Sequence, residues 1–78
     1  ISLDLDGLDP KEIAAVGTPV ANGIDSRIFL ETMNKIDTKH LIGFEIGEYN
    51  PSLDKDHRSM HYMLELLKSL IAKVRYAD

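Results

Sequence analysis

Three carboxylates stand where their spacing points to chemistry. Asp4 and Asp6 lie two residues apart in Ile1-Ser-Leu-Asp-Leu-Asp-Gly-Leu-Asp-Pro10, and Glu48 follows the apolar run Leu41-Ile-Gly-Phe-Glu-Ile46. Side chains two apart on a strand leave the same face, with Cα atoms about 7 Å apart at a rise of ~3.3 Å per residue. If the second run is a parallel strand, Glu48 sits at the same carboxyl end, where sites in open α/β sheets gather. Three acids in one crevice repel one another and lose hydration, and a cation is the natural compensation. Hard oxygen donors suit Mg²⁺, Mn²⁺ or Ca²⁺. A second reading stays open on pattern alone. An Asp pair before a glycine is also how a solvated strand end caps its turn, and exposed glutamates are the norm.

The histidines add little. His40 precedes the second strand, at its opposite end, and reads as a surface residue. His57 and His61 are four apart on the final helix, a spacing compatible with a metal. No acid or third ligand joins them in a familiar arrangement, so they read as helix surface.

The elements that must position the acids follow from periodicity. Ile1, Leu3 and Leu5 alternate with Ser2, Asp4 and Asp6, which predicts a strand over 1–6 closed by Gly7 and Pro10. Asp9-Pro-Lys-Glu12 has the form of a helix start, and Ile13-Ala-Ala-Val16 extends it by a short turn stopped by Gly17. Residues 18–24 read as an ordered loop. Asp25 caps a helix over 26–36 whose inward stripe is Ile28, Phe29, Met33 and Ile36. A second strand over 41–46 ends near Glu48, and Asn50-Pro51 breaks it. A long helix over 55–76 carries Met60, Met63, Leu64, Leu67, Leu70, Ile71 and Val74 at spacings of three and four, with Asp54 as N-cap. Strand, crossover helix and strand form a βαβ unit, which is parallel and right-handed in nearly all cases. Two parallel strands cannot cover both their faces, so further partners must come from elsewhere.

Composition narrows the function classes. At 78 residues the chain has room for one small domain or a piece of a larger one. A chain of this size buries only roughly 60% of its unfolded surface. Apolar residues at 44% and charged residues at 28% are ordinary for a globular chain. A net charge of −4, with nine scattered Lys and Arg, gives no footprint for nucleic acid. No apolar run approaches the ~20 residues of a membrane span. With no cysteine there is no disulfide framework and no thiolate metal site, which fits a reducing compartment. The chain opens at Ile1 inside an alternating run, and a portion of a longer polypeptide is expected.

Three motif readings compete for residues 4–9. A calcium loop of EF-hand type starting at Asp4 would need oxygen ligands where Leu8 and Ala15 stand and glycine where Asp9 stands, so it fails. Asp-Leu-Asp-Gly after an apolar strand resembles the first motif of haloacid-dehalogenase-like phosphatases, with Asp4 as nucleophile and Asp6 as acid/base. Leu8 and Asp9 depart from that motif. The third reading spans far more of the chain. Ser2-Leu-Asp-Leu-Asp-Gly-Leu-Asp-Pro10, then Gly17-Thr-Pro-Val20, then Gly43-Phe-Glu-Ile-Gly-Glu-Tyr-Asn-Pro51 with Leu53 is similar, in order and spacing, to the closing third of arginases and related ureohydrolases.

That resemblance implies an α/β fold: the C-terminal βαβα portion of an arginase-like three-layer fold with a parallel sheet, residues 1–78 forming a single partial domain. It implies two Mn²⁺ ions that activate a hydroxide, which attacks a guanidinium carbon and releases urea. Asp4 would bridge both ions and Asp6 would bind one. Glu48 would pair with the substrate guanidinium and Thr18 would stand beside that pocket, while Asp9 and Pro10 would fix the loop. Asn50-Pro51-Ser52-Leu53 leans toward arginine over agmatine, guanidinobutyrate or formiminoglutamate as substrate. A cytoplasmic homo-oligomer is implied as well. The family's remaining metal ligands come from earlier segments absent from these residues, so the 78 residues alone are expected to be inactive without the remainder of a ureohydrolase chain. The loop 11–16 lacks the family's Ala-Pro-Gly run, and Gly47 and Tyr49 replace a bulkier and a small aliphatic residue. Two alternatives are a non-catalytic ureohydrolase-like regulatory subunit and a phosphatase fragment.

Overall fold

Leu3, Leu5 and Leu8 fix the start of the fold, because all three are buried and pull the chain inward at successive steps. The structure, a computed structural model, describes residues 1–76, and the expected domain span 1–78 runs beyond them. Strand β1 (Ser2–Asp4) leads into a single 3-10 turn at Leu5–Gly7, then a long loop, helix α1 (Ser26–Met33), strand β2 (Glu45–Gly47), a second 3-10 turn at Pro51–Leu53, and helix α2 (Arg58–Tyr76). The strands pair in parallel, with Ser2 opposite Glu45, Leu3 opposite Ile46 and Asp4 opposite Gly47. The expected strand–helix–strand–helix order and parallel pairing are therefore present. One core joins Leu3, Leu5, Leu8, Ile13, Leu30 and Leu66, with further residues of α1 and α2 around it.

Both strands are shorter than their periodicity predicts. A strand persists only where a neighbour takes up its backbone N–H and C=O groups. β1 offers β2 three residues before Leu5, fully buried, turns the chain under the sheet. Residues 41–44 are apolar but lie outside the ladder; only Gly43 reaches the β1 end, its carbonyl accepting from the Ile1 backbone nitrogen at 2.9 Å. Early turning also means that Asp6 sits in a 3-10 turn rather than two strand positions beyond Asp4.

The helix expected over 10–16 does not form. Asp9 takes the capping role, its Oδ1 accepting from the Lys11 N–H at 3.0 Å and its carbonyl from Glu12 and Ile13. After that one turn the chain extends, burying Ile13, Ala15 and Val16. Tertiary burial of these three residues outweighs the weak helical propensity of a short apolar run.

On α1, Asp25 caps as expected, its Oδ1 accepting from the N–H groups of Arg27 and Ile28. The buried positions are Ser26, Leu30 and Met33, spaced four and three apart, whereas Ile28 faces outward. Phe29 and Ile36 pack at the margin of the core. α2 begins at Arg58, not residue 55, because Asp54 caps it from beyond an intervening turn. Its buried line is Ser59, Tyr62, Leu66 and Leu70. Leu64, Ile71 and Val74 belong to a second apolar line that remains exposed. The Tyr62 hydroxyl donates to the Ser26 carbonyl at 2.8 Å, and burial pushes this phenol up to about 12. Lys73 Nζ donates to the carbonyls of Asn34 and Ile36, closing the C-terminal end of α1 against α2. No helix among the described residues is long and apolar enough to cross a membrane.

Candidate functional site

The parallel register brings the acids to one end of the sheet. Asp4 closes β1 directly opposite Gly47, and Glu48 is the next residue beyond β2. Asp4 Oδ1 lies 3.4 Å from where a Cβ on Gly47 would stand, so the Asp4 carboxylate rests over that glycine. A Cβ at position 47 would stand at ordinary van der Waals distance from the carboxylate, so the space over Gly47 accommodates a larger residue. Asp6, one turn further on, accepts a hydrogen bond at Oδ2 from Thr18 Oγ1 at 3.0 Å. Asp4, Thr18 and Glu48 are exposed and Asp6 is half-buried, so these groups line an open surface.

Thr18 reaches Asp6 because its loop is pinned. Gly7 accepts from the Ile24 N–H at 2.9 Å, and the Ile24 carbonyl accepts from Asp9 at 2.8 Å, a parallel bridge linking Leu8 with Ile24. Gly23 permits the approach: a Cβ there would meet the Leu8 carbonyl carbon at 2.7 Å. Asn22, just before it, takes the left-handed backbone at φ 61° that Asn tolerates better than most residues. The Asn22-Gly23 pair was the available sequence signal for this turn.

Glu48 has φ 69°, a left-handed conformation that costs a non-glycine residue about 1–3 kcal/mol and persists only where its surroundings impose it. On one side it is held by the β1–β2 ladder. On the other, the Asn50 N–H donates to the Ala15 carbonyl at 2.8 Å, and the Tyr49 hydroxyl donates to Asp54 Oδ2 at 2.7 Å. Asp54, buried, also accepts from the N–H groups of Ser59 and Met60. Ser59 Oγ in turn accepts from the Ala15 N–H. Loop 13–16, the end of β2 and the start of α2 are thus joined through Ala15, Tyr49, Asp54 and Ser59.

Burial alone would raise the Asp54 carboxyl, but the Tyr49 hydroxyl, the Met60 and Ser59 N–H groups and the charge of His57 together hold it below its ordinary 3.8. The bond to Asp54, with burial and the carboxylate charge, pushes the Tyr49 phenol upward. A depressed carboxyl contributes stability that is present above the unfolded value and lost as pH falls through the folded one. Asp54→Asn should therefore lower Tm by several degrees near pH 7, and the gap from the parent should close as pH falls below about 4. Thermal melts of both proteins across pH 3–7 check this.

Among the described residues, no three His, Asp or Glu side chains gather closely enough to hold a metal ion. The three-acid cation site anticipated from Asp4, Asp6 and Glu48 is therefore not assembled by these residues alone. The turn at Leu5–Gly7 carries Asp6 off the strand and toward Thr18. Asp4 and Asp6 have the donor chemistry for a hard divalent ion but not the full complement it needs. Tyr49, Asp54, Ser59 and Gly23 were not singled out around the site; of these only Asp54 had been assigned a role, as a helix cap.

The profile of the Arginase family matches residues 1–72. The arginase of Bacillus subtilis (strain 168) is 40% identical over 74 residues, which cover 94% of this chain and 25% of that protein. A crystal structure of arginase from Bacillus subtilis superposes with a TM-score of 0.78 at 41% identity, covering 88% of this chain and 26% of the other. The agmatine ureohydrolase of Thermoplasma volcanium gives a TM-score of 0.82 at 33% identity, over 92% of this chain and 24% of that one. The chain thus spans between 17% and 25% of the length of the curated relatives it matches. Its parallel strand pair and two helices are a piece of the arginase-like α/β fold. The chain belongs to the arginase family.

Proposed function

We propose that residues 1–78 form the C-terminal part of a binuclear manganese ureohydrolase, an arginase converting L-arginine and water to L-ornithine and urea. The single observation that carries this reading is the parallel register, which sets Asp4 against Gly47 with Glu48 next to it, at the end of the sheet where Asp6 meets Thr18. Asp4 and Asp6 would hold Mn²⁺ together with ligands from the remainder of a ureohydrolase chain. When bound, the metal supplies Lewis acidity that makes water nucleophilic near neutral pH.

This chain's own groups do the rest. Thr18 fixes the rotamer of Asp6, an outer hydrogen bond of the kind that orients ligating carboxylates. Glu48 offers its carboxylate to the planar guanidinium, whose forked N–H donors match two carboxylate oxygens. Holding the cation at that point presents its central carbon to the attacking water and keeps the fork from rotating. Arginine is the favoured substrate because the segment Asn50-Pro51-Ser52-Leu53 resembles that stretch of arginases and the matched relatives carry that name. The same reading makes the complete protein a cytoplasmic homo-oligomer.

The test is to join this chain to the N-terminal three quarters of the Bacillus subtilis arginase, load it with Mn²⁺ and measure urea. Release from arginine, weaker from agmatine, is the expected outcome. Absence of urea with arginine, agmatine and guanidinobutyrate would sink the assignment. A gain in a partner's activity that survives Asp4→Ala would point instead to a regulatory subunit.

A further inference from the structure

We infer that Tyr49 is a positioning residue for the guanidinium subsite: its hydroxyl, bonded to the buried Asp54 at the head of α2, fixes the left-handed backbone joint that aims Glu48. The inference rests on Glu48 being the guanidinium partner.

Glu48 is a one-residue joint between two anchored stretches. Before it, residues 45–47 are held in register by β1. After it, Tyr49 packs against the core and ends on Asp54 at 2.7 Å. A non-glycine residue at φ 69° returns toward the ordinary regions when either anchor is released, because no intrinsic preference keeps it there. The Ala15 carbonyl, accepting from Asn50 at 2.8 Å, secures the main chain two residues on but leaves the tyrosine direction open. The phenol completes the restraint from the side-chain direction.

Asp54 is a suitable anchor because it is itself immobile. It is 5% exposed, and its two oxygens accept from the N–H groups of Ser59 and Met60 in the first turn of α2. α2 in turn is seated through Leu66 and Leu70 on the core that also holds Leu3. A displacement of Glu48 would therefore have to break the Tyr49–Asp54 bond or move the helix. Small errors in the position of a binding group carry large consequences when a planar, two-pronged contact must be met.

The test uses the Mn²⁺-loaded joined enzyme and compares it with Tyr49→Phe, which keeps the ring and removes only the hydroxyl. The readouts are KM and kcat for arginine, the inhibition constant of guanidinium chloride as a probe of the cationic fork alone, and manganese content. The KM and the guanidinium constant should rise together by about three- to tenfold, with kcat within twofold and metal content unchanged. Asp54→Asn should reproduce the rise, and the double variant should add nothing to it, since both changes break one link. Unchanged KM and guanidinium inhibition in both single variants would overturn the inference, even where Tm falls. Glu48→Gln separates the two readings. If it raises KM while Tyr49→Phe does not, only the positioning role fails. If Glu48→Gln leaves KM unmoved, the guanidinium assignment itself fails.

Discussion

Replacing Asp4 with alanine in the Mn²⁺-loaded joined enzyme is expected to lower urea release by about 10³-fold or more, with loss of bound manganese. Asp4 ends β1 as an exposed residue between the buried Leu3 and Leu5, so truncation removes the carboxylate without opening the core. Surface substitutions of that kind ordinarily change stability by no more than about 0.5 kcal/mol. Any fall in Tm should therefore be no larger than the fall produced by stripping manganese from the parent, because bound metal itself stabilises the folded state. Several kcal/mol of transition-state charge stabilisation depend on a catalytic metal, which corresponds to three or more powers of ten in rate. Urea assays at saturating arginine, metal analysis and a thermal melt on the same preparation decide the matter. Activity within tenfold of the parent would remove Asp4 from the metal site. Asp6→Ala is a less clean experiment, because it also strips Thr18 of its hydrogen-bond acceptor.

The readable part of this fold was the part set by local pattern. Asp25, Asp54 and Asp9 each cap or turn the chain as their positions imply, and parallel pairing follows from a helix between two apolar runs. Which face of a helix is covered was not readable. α2 carries two apolar lines; of the positions that periodicity picked out, Leu70 is buried and Met63 packs against the core, but Leu64, Ile71 and Val74 stay exposed, while packing also chose Tyr62 and Leu66. Both lines have helical spacing, and only the tertiary neighbours distinguish them. Strand length failed for a related reason, since a ladder ends where its partner ends and not where apolar alternation ends. Leu5 illustrates this, being apolar, in phase with β1 and yet turned under the sheet.

At the site, the spacing of Asp4 and Glu48 was enough to place them at one sheet end once pairing was parallel, whereas Asp6, expected on the same strand face as Asp4, is carried off it by the 3-10 turn. The restraint on Glu48 was not legible. It depends on a tyrosine meeting an aspartate five residues on and a serine meeting a loop 44 residues away, contacts that no short-range pattern encodes. Neither was the tight passage of Gly23 over Leu8, although the Asn22-Gly23 turn was visible in the sequence.

Glu48 allows the carboxylate to be separated from the backbone that carries it. Glu48→Gln keeps size and an acceptor but removes the charge, and kcat/KM should fall about 10²–10³-fold, the usual penalty of 2–5 kcal/mol for breaking one side of a close charge pair. Glu48→Gly removes the side chain while suiting the backbone, because φ 69° is a region glycine enters without steric cost. That variant should match or exceed the Tm of the parent and yet lose activity at least as far as Glu48→Gln. A third variant, Glu48→Val, places a β-branched residue in the left-handed region and should lose both Tm and activity. The three together assign the activity loss to the missing carboxylate and the stability loss to the strained backbone. Arginine and agmatine share the guanidinium group, so the factor lost in Glu48→Gln should be the same for both where both are turned over. A loss confined to arginine would overturn the guanidinium contact, because the two substrates differ only in the α-carboxylate, which a carboxylate at position 48 would repel rather than bind.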